Sequence, residues 1–192
     1  MCVCYLHRFA EDGKTVATVL QQRNVPEAFR ALDLVDSALD CVVSDAPDYV
    51  DLYTVPAPDG PAVTAEQLAR AAFEDGPAVG RFLAWRVALR LRLDPRPWAP
   101  WRGPAASSPD HLAGWTISDR GDNWIRIKAS SPSLTAFCVF QVHAELATMA
   151  TFVRYDRRAG QFVWTPVSFI HRSLALPVLR AGIRRLNRRA AA

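Results

Sequence analysis

Between Gly114 and Asp156 the spacing of apolar residues falls to two, and this run constrains the fold more than any other feature of the chain. In NWIRIKAS, Ile125 and Ile127 alternate with Trp124, Arg126 and Lys128, so one face is apolar and the other wet. GWTISDR precedes it across Gly121-Asp122, a hairpin dipeptide. SLTAFCVFQVHA and LATMATFVRYD follow as longer strands joined near Ala144-Glu145, a turn without the usual glycine or asparagine. Strands joined so closely pair antiparallel, and such a sheet must bury one face under something else.

The cover is expected from the end of the chain. Residues 165 to 189, TPVSFIHRSLALPVLRAGIRRLNRR, have helical spacing. Thr165 supplies a capping hydroxyl and Pro166 suits the first helical position, so the helix is predicted to open there. Phe169, Leu176, Leu179, Ile183 and Leu186 fall in one arc, and Ile170, Leu174 and Val178 form a second stripe. The first half is therefore apolar nearly all round and is expected in the core. Beyond Val178 the second stripe gives way to Arg180, Arg184, Arg185 and Arg188, so the second half is expected at the surface. Pro177 deprives the Ser173 carbonyl of its helical partner, and a kink is expected there.

Upstream of Gly114 the pattern is mixed. DYVDLYTVPAP sets Tyr49, Asp51 and Tyr53 against Val50, Leu52 and Thr54 and closes on two prolines, which reads as a first strand at an edge or end of the sheet. Thr64-Ala65-Glu66-Gln67 has capping-box spacing ahead of Leu68, Ala72 and Phe73, and Gly76-Pro77 ends that helix and opens another over residues 77 to 93. Residues 94 to 113 follow with five prolines and with Trp98 and Trp101, a composition unsuited to regular structure. At the other end, Asn24 can cap a helix over residues 24 to 39. Residues 1 to 23 show no sustained period, so residues 1 to 44 read as an N-terminal extension with one helix and residues 45 to 192 as an α+β domain.

Charge and cysteine usage narrow the function classes. Residues 27 to 75 hold eleven acids against Arg30 and Arg70, whereas residues 157 to 192 hold eight arginines and no acid, so the two ends are expected to attract. Arginine outnumbers lysine 21 to 2 without any nucleic-acid motif, and nucleic acid is not an expected partner. The charge-free stretch at residues 159 to 171 is shorter than a membrane span, and Glu11 and Asp12 stand where a signal peptide would be apolar; a cytoplasmic protein without a transmembrane helix is expected. Cys2, Cys4, Cys41 and Cys138 form no ligand set and read as reduced structural thiols. His7, His111, His143 and His171 are scattered, so neither a metal site nor a cofactor is expected, and no catalytic residue is assigned.

The order of these segments resembles the helix-grip fold of the START and Bet v 1-like (SRPBCC) superfamily, and most nearly the bacterial family called domain of unknown function 2867. The resemblance is carried over about residues 45 to 189 by DYVDLYTVPAP, AFEDGPAVGRFLAWRVALRLRL, GWTISDR, TFVRYDRRAGQF and PVSFIHRSLALPVLR. It implies a curved antiparallel sheet wrapped around a long C-terminal helix, with two helices inserted after the first strand and a cavity between sheet and helix. It implies no established activity.

A hydrophobic small molecule or lipid is the ligand such a cavity suits; an enzyme of cyclase or dehydratase type and a protein-interaction module are the alternatives. Trp115, Ile125, Ile127, Phe152 and Phe169 are candidate lining residues, with Trp98 or Trp101 as a plug at the mouth. Arg172, within the apolar arc of the last helix, needs a partner: either an acid from the 33 to 51 region or, together with His171, the acidic head of the ligand.

Overall fold

A computed structural model describes residues 3–9, 15–21, 47–58, 63–74 and 108–192. The described residues form eight strands and two helices. They are β1 (Val3–Phe9), β2 (Thr15–Gln21), β3 (Tyr49–Pro56), α1 (Ala65–Phe73), β4 (His111–Leu112), β5 (Trp115–Arg120), β6 (Trp124–Ser130), β7 (Leu134–Val142), β8 (Leu146–Tyr155) and α2 (Ala159–Ala190). The strands make one sheet in the order β1-β2-β3-β8-β7-β6-β5-β4. All neighbours are antiparallel except β2 and β3, which run parallel with Thr18 opposite Val50.

The α+β class, the hairpin at Gly121 and the long strands β7 and β8 agree with the sequence pattern. The capping box is present as spaced: Thr64 Oγ1 accepts from the Gln67 backbone N–H at 3.1 Å while Gln67 Oε1 accepts from the Thr64 N–H at 2.9 Å. The helices expected over residues 24 to 39 and 77 to 93 lie outside the described residues, as do Trp98 and Trp101.

Three expectations are corrected. First, β3 is not an edge strand; it is paired on both sides, and residues 49 to 53 are buried whichever face they point to. Tyrosine and valine alternate there because both faces are covered, so the alternation does not signal solvent. Second, the proline-rich stretch contains regular structure at its end. His111 and Leu112 pair with β5 across Ala113 and Gly114, whose φ angles of 47° and 87° make the left-handed two-residue turn that a tight hairpin requires.

Third, α2 begins at Ala159, six residues before the expected cap, and continues as helix through both Pro166 and Pro177. Thr165 does not cap; its hydroxyl donates to the Gln161 carbonyl at 2.7 Å inside the helix.

The phase of α2 also differs from the apolar arc. Its buried residues are Gly160, Trp164, Ser168, Ala175, Leu179, Gly182 and Leu186. At about 100° per residue these lie on one side, and Phe169 falls well off it. Phe169 is 65% exposed, together with Phe162, Ile170 and Leu174. The expectation of a first half that is core nearly all round fails, because the large exposed apolar residues are there; the second half exposes Arg180, Arg184 and Arg188 as expected but keeps Leu179 and Leu186 buried. Small residues decide the contact. A Cβ on Gly182 would stand 3.1 Å from the Ala72 backbone of α1, and one on Gly160 would stand 2.5 Å from the Ser133 carbonyl oxygen. The helix turns its smallest side chains inward because they permit the closest approach.

Candidate functional site

The inner face of the sheet, toward α2, carries Tyr49, Asp51, Tyr53 and Val55 from β3, Ala147, Met149, Thr151 and Val153 from β8, and Ala136, Cys138 and Phe140 from β7. Strand register places Asp51 opposite Thr151 and Thr151 opposite Cys138, so one polar row crosses three strands of an otherwise apolar surface. Asp51 is fully buried. An isolated carboxylate there would be prohibitively costly, so its hydrogen-bond partners define the site.

Those partners come from its own strand and from α2. Tyr49 Oη donates to Asp51 Oδ2 at 2.7 Å and Tyr53 Oη donates to it at 3.4 Å. His171 Nε2 lies 3.1 Å from Asp51 Oδ2 and 3.1 Å from Thr151 Oγ1. A bare ring nitrogen would repel the carboxylate at that distance, so Nε2 must carry the proton. In the neutral ring the lone pair then sits on Nδ1, a tautomer locked by a carboxylate.

Arg172 completes the chain from the other side. Its Nε donates to Tyr49 Oη at 3.1 Å, and its guanidinium stands 5.4 Å over the Tyr49 ring and 5.9 Å over the Phe169 ring. A hydrogen-bonded chain thus runs from Arg172 through the Tyr49 hydroxyl to Asp51, then to His171. Among the described acids of the 33 to 51 region, Asp51 is linked to Arg172 through the Tyr49 hydroxyl rather than by direct contact.

Burial, reinforced by the Asp51 charge, raises both Tyr49 and Tyr53 far above the ordinary phenol value, so they remain hydrogen-bond donors. Burial likewise pushes the Cys138 thiol well up, with the Asp51 charge adding to it, so this cysteine is an inert part of the wall, as expected for a structural thiol.

Trp164, about two turns before His171, closes the cluster. Its ring meets Tyr49 edge-on at 5.2 Å and His171 at 5.7 Å. Its Nε1 is buried with no hydrogen-bond partner among the described residues. A buried indole N–H in that position is an open donor. The cluster reaches solvent through His171, whose side chain is 24% exposed, and Arg172.

Of the residues singled out in the sequence, His171 and Arg172 meet here. Ile125, Ile127 and Trp115 lie on the same inner face but belong to the packed core under α1, where Trp115 stacks on Phe73 at 6.4 Å. Phe152 faces the opposite side of the sheet, because it alternates with Thr151 and pairs with Val50 and Phe137. Phe169 is at the surface and touches the site only under the Arg172 guanidinium.

Asp51, Tyr49, Tyr53, Thr151 and Trp164 were missed. A signal was present: an acid flanked two residues away on each side by tyrosine, on a strand of period two, puts one charge and two hydroxyls on a single face. No family model, curated protein or solved structure matches the chain.

Proposed function

We propose that the protein binds an apolar small molecule or lipid whose hydrogen-bond-accepting head, a carboxylate or carbonyl, meets Trp164 and Arg172 beside His171 where α2 crosses β3. The observation that carries this reading is the buried Trp164 Nε1 without an acceptor among the described residues, set beside a partly exposed histidine and an arginine. The Trp164 indole and the Arg172 guanidinium both flank the Tyr49 ring, and a guanidinium suits a carboxylate bidentately. The element order, an antiparallel run of strands followed by a long terminal helix, supports a helix-grip reading of the fold, in which ligands lie between sheet and helix.

A second reading is favoured by the locked tautomer. A histidine whose Nε2–H is held by a buried carboxylate leaves its Nδ1 lone pair for accepting a proton, beside two phenols held as hydrogen-bond donors, which is an arrangement a proton-transfer enzyme of cyclase or dehydratase type could use.

Native mass spectrometry of protein purified from cells identifies a co-purifying ligand, and titration of fatty acids into wild type, Trp164→Phe and Arg172→Ala tests the head-group contacts. About a tenfold loss of affinity is expected in each variant, the cost of one unmade hydrogen bond. Unchanged affinity in both, with intact thermal melts, removes the cluster from the binding site. Conversion of the captured ligand that is abolished in His171→Gln while binding persists selects the enzyme reading.

A further inference from the structure

The first half of α2 carries its apolar residues on the wrong side for a core helix. Phe162 is 80% exposed, Phe169 65%, Ile170 46% and Leu174 37%. These are the large hydrophobic side chains exposed among the described residues, and all four belong to one helix. At about 100° per residue they span about 140° of arc, and Arg180, Arg184 and Arg188, all exposed, fall within the same arc further along. The solvent face of α2 is thus a single strip, apolar over about 18 Å and cationic over the next stretch, and about 39 Å long from Phe162 to Arg188.

Two more observations set the chemistry of what this strip meets. From Arg157 to the end of the chain there are eight arginines and no acid, so nothing on the helix itself neutralises the strip. By length and composition α2 also contains a stretch apolar enough to enter a bilayer, yet only 22% of that stretch is buried in the fold. The opposite side of the helix is tied to the sheet through His171 and Asp51 and to α1 through Gly182, so the helix can lie on a bilayer but not cross it without dismantling the domain.

We propose that this strip docks on an anionic lipid surface, with Phe162, Phe169, Ile170 and Leu174 entering the headgroup–acyl boundary and Arg180, Arg184 and Arg188 contacting lipid phosphates. A helix lying in the interface needs an apolar strip and adjoining cations on one face, and this face supplies both. The apolar residues spread along a convex helix surface, which fits a fluid bilayer better than a shaped protein groove. The proposal stands on residues other than Trp164 and His171 and does not depend on the ligand reading.

The test is co-sedimentation of the full chain with sucrose-loaded vesicles of phosphatidylcholine alone and of phosphatidylcholine with about one third phosphatidylglycerol, at low and at physiological salt. Wild type is expected to pellet with the anionic vesicles and to be released by salt. Phe162→Ser with Phe169→Ser should lower partitioning about a hundredfold, since each phenyl loses its apolar burial. Arg180→Gln with Arg184→Gln and Arg188→Gln should lower it about fivefold per arginine and remove the preference for anionic lipid. All these positions are exposed, so thermal melts should match wild type. Absence of wild-type pelleting with anionic vesicles at low salt overturns the proposal, as does equal pelleting of wild type and the phenylalanine pair. A wild-type dimer by light scattering that becomes monomeric in the phenylalanine pair also overturns it, by assigning the face to a second copy of the chain.

Discussion

The helix α2 is held by two seams of opposite character. In its first half, Trp164, His171 and Arg172 meet β3 through a buried carboxylate and two tyrosine hydroxyls, and β8 through a threonine. Further on, Ala175, Leu179, Gly182 and Leu186 meet Leu68, Ala69 and Ala72 of α1 with almost nothing but methyl groups and backbone, helped by one hydrogen bond from Arg185 Nη1 to the Ala71 carbonyl at 2.8 Å. The apolar seam fixes how closely two elements approach. The polar seam adds a directional requirement, because a buried carboxylate is tolerated only when each donor is in place. A helix needing only anchorage could use the first kind throughout. A polar seam with an open indole donor is where ligand chemistry can be added.

The largest effect expected from breaking this division is at Asp51. Asp51→Ala removes the acceptor of Tyr49, Tyr53 and His171 together and should cost about 3–5 kcal/mol in urea unfolding. A loss below about 1 kcal/mol would mean that the polar seam is dispensable for stability. The apolar seam is next. Gly182→Val places a side chain against the Ala72 backbone, which cannot yield as a flexible side chain can, and should cost about 1–3 kcal/mol while leaving any ligand affinity at the polar seam unchanged.

The smallest effect, and the one that separates the seams most cleanly, is on pH. Tyr49 and Tyr53 have folded values raised above the ordinary 10.0, so the stability they contribute is fully present below about pH 10. Above that, the unfolded chain releases phenolic protons that the folded chain keeps, and stability falls as pH rises toward the folded values. Denaturant midpoints from pH 8 to 11 should therefore decline, the buried Cys138 thiol adding to the slope from about its ordinary 9.0. Tyr49→Phe should flatten the decline, whereas Gly182→Val should shift the whole curve down and keep its slope. Equal slopes in both variants would detach the tyrosines from the effect.

Local signals in the sequence act within a few residues, and these were legible. Ile125 and Ile127 alternate with charged neighbours because a strand projects side chains to opposite faces, and the pattern survives any tertiary arrangement. The same holds for the Thr64 and Gln67 capping box, whose two hydrogen bonds close within one turn. The site was half legible: His171 and Arg172 stood out as polar residues in an apolar helix, but their partner Asp51 lies 120 residues upstream and only strand register brings it opposite Thr151.

What the sequence determined by itself was the set of strands from Trp115 onward, the capped start of α1 and a long terminal helix. Only the tertiary structure decided where α2 starts and which way it faces. The physical reason is that its first half is apolar nearly all round, so periodicity selects no face. Steric fit selects one instead: Gly160, Ser168, Ala175 and Gly182 are small enough to let the helix approach the sheet and α1, and this rotation carries His171 onto Asp51 and leaves Phe162 and Phe169 in solvent.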